Sequence, residues 1–388
     1  MKYQAVKSTL LLFLLSILIT ESKLVTFSNV VPRLDSTGAV IKGHDGTTQR
    51  FHGTGPFYYH AMGYPPCNLT AAINGCDYKN GQKTCIYNKR NSLLVYSSPD
   101  LSSGSWRLTE TVYPSDSSGF PTCTYFRSQA VYNPVTKLYV LWANTAGCDV
   151  NTCPNKKCGS YAVGTSTQPG HGFKFAAMVT PDTAAGQPLP QSVGDYALLV
   201  DRDGKGYILL TAMKSVDVRN MFIIQLTPDF LSVNGSASVG PLPGPKIVEA
   251  PAFFRRGEMY HALLGGCTCM GLYGGGVAAL TAKHPLGPWT NITSALDPGC
   301  PMGAQSTCFQ MGPGDVCNPI TQAQQNYVIE VPLANGSSQH VWTGDRWQVS
   351  PDGKFDEQPQ TWLPLSFDAG GELLPMKWVD HFDLNVAG

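Results

Sequence analysis

The chain has 388 residues but only 27 Asp plus Glu, so the setting of each carboxylate is informative. Glu249 sits in Ile247-Val-Glu-Ala-Pro-Ala-Phe-Phe254, between apolar neighbours. Lost solvation raises a carboxyl pKa, and a raised pKa lets a general acid keep its proton near neutral pH. A Glu at a strand end, satisfied by an Arg or by backbone amides, accounts for the same residues, and both readings stand. Asp195 opens the segment Gly194-Asp-Tyr-Ala-Leu-Leu-Val-Asp-Arg-Asp-Gly204. Asp201, Asp203 and Gly204 suit a hairpin turn. Asp195 begins the strand before that turn and is not explained by it, so it is a candidate second site carboxylate. Asp45, in His44-Asp-Gly46, reads on its own as a turn residue before glycine.

The elements that must hold these groups are short strands. Apolar runs occur at 92–96, 130–132, 138–142, 196–200, 206–211, 221–226, 259–264, 277–281 and 327–331. Asn133-Pro134, Asp203-Gly204, Arg256-Gly257 and Asp352-Gly353 punctuate them, and no long helical period intervenes. A strand, a Pro or Gly turn and an aromatic recur at Ser97–Trp106, Ser166–Phe175 and Ala282–Trp289. Such spacing fits four-stranded propeller blades of about 40–50 residues. A two-sheet sandwich would need two domains at this length, with no linker to separate them. The pattern predicts an all-β chain: one five-bladed β-propeller over 23–388, with disulfide-rich loops, behind a signal peptide at 1–22.

Composition agrees and excludes. Gly (40) and Pro (29) supply the turns, and charged residues are only 14%. Lys+Arg and Asp+Glu are both 27, which argues against a nucleic-acid partner. Lys2 and Lys7 precede the apolar run Leu10–Ile19, and Thr20 and Ser22 suit a cleavage site, so the chain is expected to be secreted and extracellular, with no membrane partner after cleavage. Ten residues rise only about 15 Å as a helix, short of a bilayer of about 30 Å. Twelve Cys, none in a C-x-x-C pair, point to disulfides rather than zinc. Sequons start at Asn68, Asn234, Asn291 and Asn335 and mark expected exposed loops.

Several segments, in order, resemble glycoside hydrolase family 43, especially its galactan 1,3-β-galactosidase branch. They are Arg33 to Gly46 followed by Tyr58-Tyr59; Arg127 to Asn133 and on to Trp142; Gly194 to Tyr207; Glu249-Ala-Pro-Ala-Phe253; Gly287-Pro-Trp289; Ala323 to Val328; Gly344-Asp-Arg-Trp347; and Thr361 to Leu365. The resemblance implies a five-bladed propeller with a sugar site on its axis, and hydrolysis with inversion. It implies Glu249 as general acid and Asp195 as the Asp that tunes the acid and orients substrate. It implies Asp45 as the base, or Gln324 in a water- or substrate-positioning role, with Ala323 where the branch has Ser. Arg127, Tyr59, Asp345, Arg346 and Trp347 are implied substrate contacts. The branch has a site Glu where this chain has Phe126, which implies altered preference, weakened activity or a carbohydrate-binding descendant without turnover. No cofactor is expected; by family analogy a central ion in the channel stays open, with no ligand set to name.

Aromatics are ambiguous here. Trp142, Trp289, Trp347 and Trp362 suit either sugar stacking or blade packing. Tyr58 and Tyr59 must alternate across a strand, so at most one reaches a substrate. The expected partner is a polysaccharide or oligosaccharide, of β-1,3-galactan or arabinogalactan type. Oligomeric state is not legible.

Overall fold

The computed structural model describes residues 22–63, 76–79, 82–85, 91–112, 117–190, 192–215, 218–267, 274–293, 296–300, 319–347, 349, 357 and 359–388. Residues 1–21 of the expected signal segment, and Asn68, lie outside these. Asn234 and Asn335 are exposed, as their sequons require.

Antiparallel sheets follow one another along the chain as five blades. Blade 1 starts at strand His44–Arg50, blade 2 at Thr124–Asn133, blade 3 at Ser192–Val200 and blade 4 at Val248–Arg256; each has four strands. Blade 5 starts at Gln324–Pro332 and has three described strands. In every blade the first strand is innermost and successive strands move outward. The first strand of the chain, Lys23–Ser28, pairs along its full length with the last, His381–Val386. That pair closes the ring, with Phe27 stacked 5.6 Å from Trp362 of blade 5.

The core is divided accordingly. Five hydrophobic clusters lie between successive blades: Leu93, Phe120 and Leu141 join blades 1 and 2; Trp142, Tyr196 and Ile224 join 2 and 3; Leu209, Ala262 and Trp289 join 3 and 4. Leu263 with Trp342 joins blades 4 and 5, and Phe57 with Val341 and Trp362 joins 5 and 1. Strands buried on both faces lose the apolar–polar alternation and read as continuous runs, which is why the apolar segments locate them.

The recurrent turn-plus-aromatic sequence is the link from third to fourth strand in blades 1, 2 and 4. Trp106, Phe173 and Trp289 each precede the outermost strand and are buried. In blade 2 the equivalent aromatic is therefore Phe173, two residues before Phe175. Asp201, Asp203 and Gly204 form the hairpin turn, with Gly204 at φ +82°, where a side chain would be strained. Two disulfides pin the loops of blade 2, Cys123–Cys148 and Cys153–Cys158.

One irregularity repeats five times. The innermost strands slip register between His44 and Thr47, Phe126 and Gln129, Val193 and Tyr196, Glu249 and Ala252, and Gln325 and Val328. In each case two residues of the innermost strand oppose one on the neighbouring strand, which is a β-bulge. Bulges bend a strand and re-aim its side chains. Asp45, Arg127 and Ala250 occupy them at φ 52°, 49° and 49°.

Candidate active site

The five bulges ring the propeller axis, and the sequence-expected residues lie in them or beside them. Asp45 comes from blade 1, Arg127 from blade 2, Asp195 from blade 3, Glu249 from blade 4 and Gln324 from blade 5. Asp345 comes from the second strand of blade 5. All are buried except Asp195, which is half-buried.

Arg127 is 1% exposed and is the hub of the axis. Its guanidinium donates to the carbonyls of Asn326 (2.9 Å), Gln325 (3.4 Å) and Pro251 (3.4 Å), and its Nη1 lies 3.5 Å from Asp45 Oδ1. Its Cζ sits 4.7 Å from the Tyr327 ring, whose hydroxyl lies 3.0 Å and 3.1 Å from the carbonyls of Arg127 and Tyr196. One side chain thus ties blades 1, 2, 4 and 5 together. Small residues at the matching bulge positions of blades 3 and 4, Gly194 and Ala250, accompany this span.

Asp45 is held by its backbone. Its N–H donates to Asp345 Oδ2 at 2.8 Å, and Asp345 Oδ1 accepts from Gln360 Nε2 at 2.8 Å. Gln360 also donates to the Tyr59 hydroxyl at 2.9 Å, and that hydroxyl donates to Gly43 O at 2.8 Å. Burial pushes the Asp45 carboxyl well above the usual carboxylate range; Arg127 pulls it back, while Asp345, Asp195 and Glu249 push it up again. Three carboxylates felt by a fourth make one electrostatic centre. Asp195 Oδ2 accepts from the N–H of Ala250, next to Glu249, at 3.0 Å.

Glu249 is 4% exposed and its carboxylate is clamped. Oε1 accepts from Gln324 Nε2 at 2.6 Å, and Oε2 pairs with Arg219 Nη1. The Cys267 sulfur lies 3.2 Å from Oε2; it belongs to a disulfide, so it has no proton to donate. Trp347 in turn donates its indole N–H to Gln324 Oε1 at 2.7 Å and packs 5.3 Å from His44.

Not every expected residue joins this group. Arg346 follows the end of the strand and takes other partners. It donates to Asn29 O (3.2 Å) and Gln322 Oε1 (3.3 Å) and lies 5.6 Å from the Trp378 ring. Trp142, Trp289 and Trp362 are buried in the cores between blades. Of the tyrosine pair, Tyr59 faces the site network and Tyr58 is half-buried beside Phe51. Phe126 stands just before the blade 2 bulge, the place Glu249 takes in blade 4. Sequence reasoning missed Arg219 and Gln360. Both sit at the ends of apolar strand segments, Arg219 before Asn-Met-Phe-Ile-Ile and Gln360 before Thr-Trp-Leu. A lone polar residue there gives no signal of its own.

A cavity of about 910 Å³ also opens on the axis, but on the far side of the bulges. Its walls come mainly from the later halves of the innermost strands, with Arg50, Tyr132 and Arg255, joined by Asp201 of the following turn and His340 of the second strand of blade 5. It touches none of Asp45, Asp195, Glu249 or Gln324, so the acidic centre and this cavity are separate places on one axis.

Solved structures share this five-bladed fold. An exo-β-1,3-galactanase from Clostridium thermocellum matches at 20% identity, over 93% of this chain and 67% of that one, with a TM-score of 0.62. A β-1,3-galactosidase of glycoside hydrolase family 43, solved with galactodeoxynojirimycin, matches at 21% identity over 91% and 99%, TM-score 0.60. An exo-β-1,3-galactanase from Phanerochaete chrysosporium, solved with β-1,3-galactotriose, matches at 16% identity over 93% and 68%, TM-score 0.62. The fold is therefore the one that the galactanase resemblance implied. No family model matches the chain, and no curated protein matches it.

Proposed function

We propose that the protein is a secreted glycosidase that hydrolyses a galactose-containing polysaccharide of the β-1,3-galactan type with inversion. The observation that carries this reading is the convergence of Glu249, Asp195 and Asp45 from three separate blades on one buried axial centre, in a fold shared with galactan-cleaving enzymes. Glu249 protonates the leaving oxygen. Asp195 braces the backbone beside it, through Ala250 N–H, and adds negative charge to the centre. Asp45 activates the water. An inverting pair must stand about 6.5–9.5 Å apart to admit that water. Gln324 touches Glu249 directly at 2.6 Å, which suits a partner of the acid rather than the group on the opposite face of the sugar.

A second reading has its own support. Both Glu249 oxygens face donors, from Arg219 and Gln324, and Phe126 replaces the family's site Glu. A carboxylate so held resists protonation, which favours a protein that binds the sugar without cleaving it. The two readings separate in one experiment. The purified chain is incubated with a polysaccharide panel including β-1,3-galactan, and the product anomer is followed by proton NMR. Release of α-galactose from a β-linked substrate supports the enzyme; retention of β-configured product overturns inversion; glycan binding with no reducing sugar released supports the binding protein.

A further inference from the structure

We infer that Trp347 is a positioning residue whose indole N–H locks the side-chain amide of Gln324 so that its NH₂ faces Glu249. The inference rests on the reading of Glu249 as the site acid, but its first test does not. The chemistry of the neighbours leaves one orientation. An indole N–H only donates, so the Gln324 atom 2.7 Å away must be the oxygen. An ionised carboxylate only accepts, so the atom 2.6 Å from Glu249 Oε1 must be the nitrogen. The two partners select the same rotamer from opposite ends of the amide. Trp347 is 1% exposed, Gln324 8% and Glu249 4%. Buried hydrogen bonds of this kind are not readily exchanged for bonds to water.

The consequence concerns the proton. A flipped amide would set its carbonyl oxygen against Glu249 Oε1, where an O–H on the acid could donate to it. With the amide locked, a proton on Oε1 faces the Gln324 NH₂, itself a donor. Trp347 therefore biases Glu249 towards its ionised form through Gln324, without touching it. Oε2 faces Arg219, which acts in the same direction. Removing the indole N–H while keeping an aromatic ring should free the amide and make Glu249 easier to protonate.

The test uses the full chain labelled with [15N]glutamine. The Gln324 NH₂ pair is assigned by its loss in Gln324→Leu. In wild type its two protons should be strongly inequivalent, and the one bound to Glu249 should exchange slowly with water. In Trp347→Phe the slow exchange should fall by at least tenfold and the pair should move towards the values of a free amide. Unchanged exchange and shifts in a folded Trp347→Phe variant would overturn the inference, whatever the activity. Should Trp347→Phe fail to fold, Glu249→Gln reads the other end: the Gln324 pair must shift there too, and an unmoved pair overturns the inference. Where the chain hydrolyses galactan, the basic limb of kcat/KM should also rise by about one pH unit in Trp347→Phe. Equal losses at all pH values would mark the residue as merely structural.

Discussion

Replacing Arg127 with Met removes the hub of the propeller axis while keeping a side chain of similar length. Three backbone carbonyls, those of Pro251, Gln325 and Asn326, then lose a charged donor, and Asp45 loses its cation. Removing one partner of a buried pair costs about 3–5 kcal/mol, because it strands the other. The carbonyls can regain some of that from water entering the channel, so the lower half of the range is expected, about 3 kcal/mol. For a domain of this size such a loss lowers Tm by roughly 4 °C. Calorimetry and guanidinium melts of both proteins give the two numbers. The Arg127→Met, Asp45→Asn double variant should recover about 1 kcal/mol, since the stranded carboxylate is gone. A destabilisation under about 1 kcal/mol in Arg127→Met would refute the hub, and strict additivity in the cycle would refute the pairing with Asp45.

Two further outcomes follow from buried titrating groups. Burial raises the folded pKa of Asp45 above its unfolded value near 3.8, so its contribution to stability is full below that pH and is lost as pH rises through the raised value. Asp45→Asn should therefore flatten the loss of stability as pH rises, while hydrolysis falls by about 10²–10⁴-fold; Asn also tolerates the positive φ at this position. An unaltered slope of Tm against pH would contradict the sign. His261 has the opposite sense. Its ring is fully buried, stacked 4.9 Å from Phe254, and neither nitrogen has a hydrogen-bond partner. Burial first, then His340, lowers its pKa to about 4, so its contribution holds above 6.5 and is lost as pH falls towards 4. His261→Phe should leave stability at pH 7 unchanged or higher and flatten the loss between pH 6.5 and 4, measured by urea midpoints; an unaltered acid slope would count against it.

The sequence showed the strands where both faces are buried, because those strands read as apolar runs. It showed their beginnings poorly. The innermost strands start four to six residues before several of the apolar runs, at Ser192 and Thr124 for example, since the bulge residues there are polar or glycine. That same polarity made Asp195 and Glu249 conspicuous, so the features that hid the strand ends exposed the site. Asp45, a turn residue on local evidence, is an axial carboxylate because a bulge holds it at positive φ against Asp345. That pairing spans 300 residues, and no local pattern carries it. Arg219 and the contact of Trp347 with Gln324 are opaque for the same reason: one is set by the register of the third strand of blade 3, the other by the path that follows the second strand of blade 5.

The central claim is that Glu249 delivers the proton at the axial site. The direct measurement is the steady-state rate of galactose release from β-1,3-galactan by wild type and by Glu249→Gln, with substrate binding followed in parallel by calorimetry. The account predicts hydrolysis by wild type, a fall of about 10²–10⁴-fold in Glu249→Gln, and affinity retained within about tenfold. Equal rates in the two proteins would contradict it.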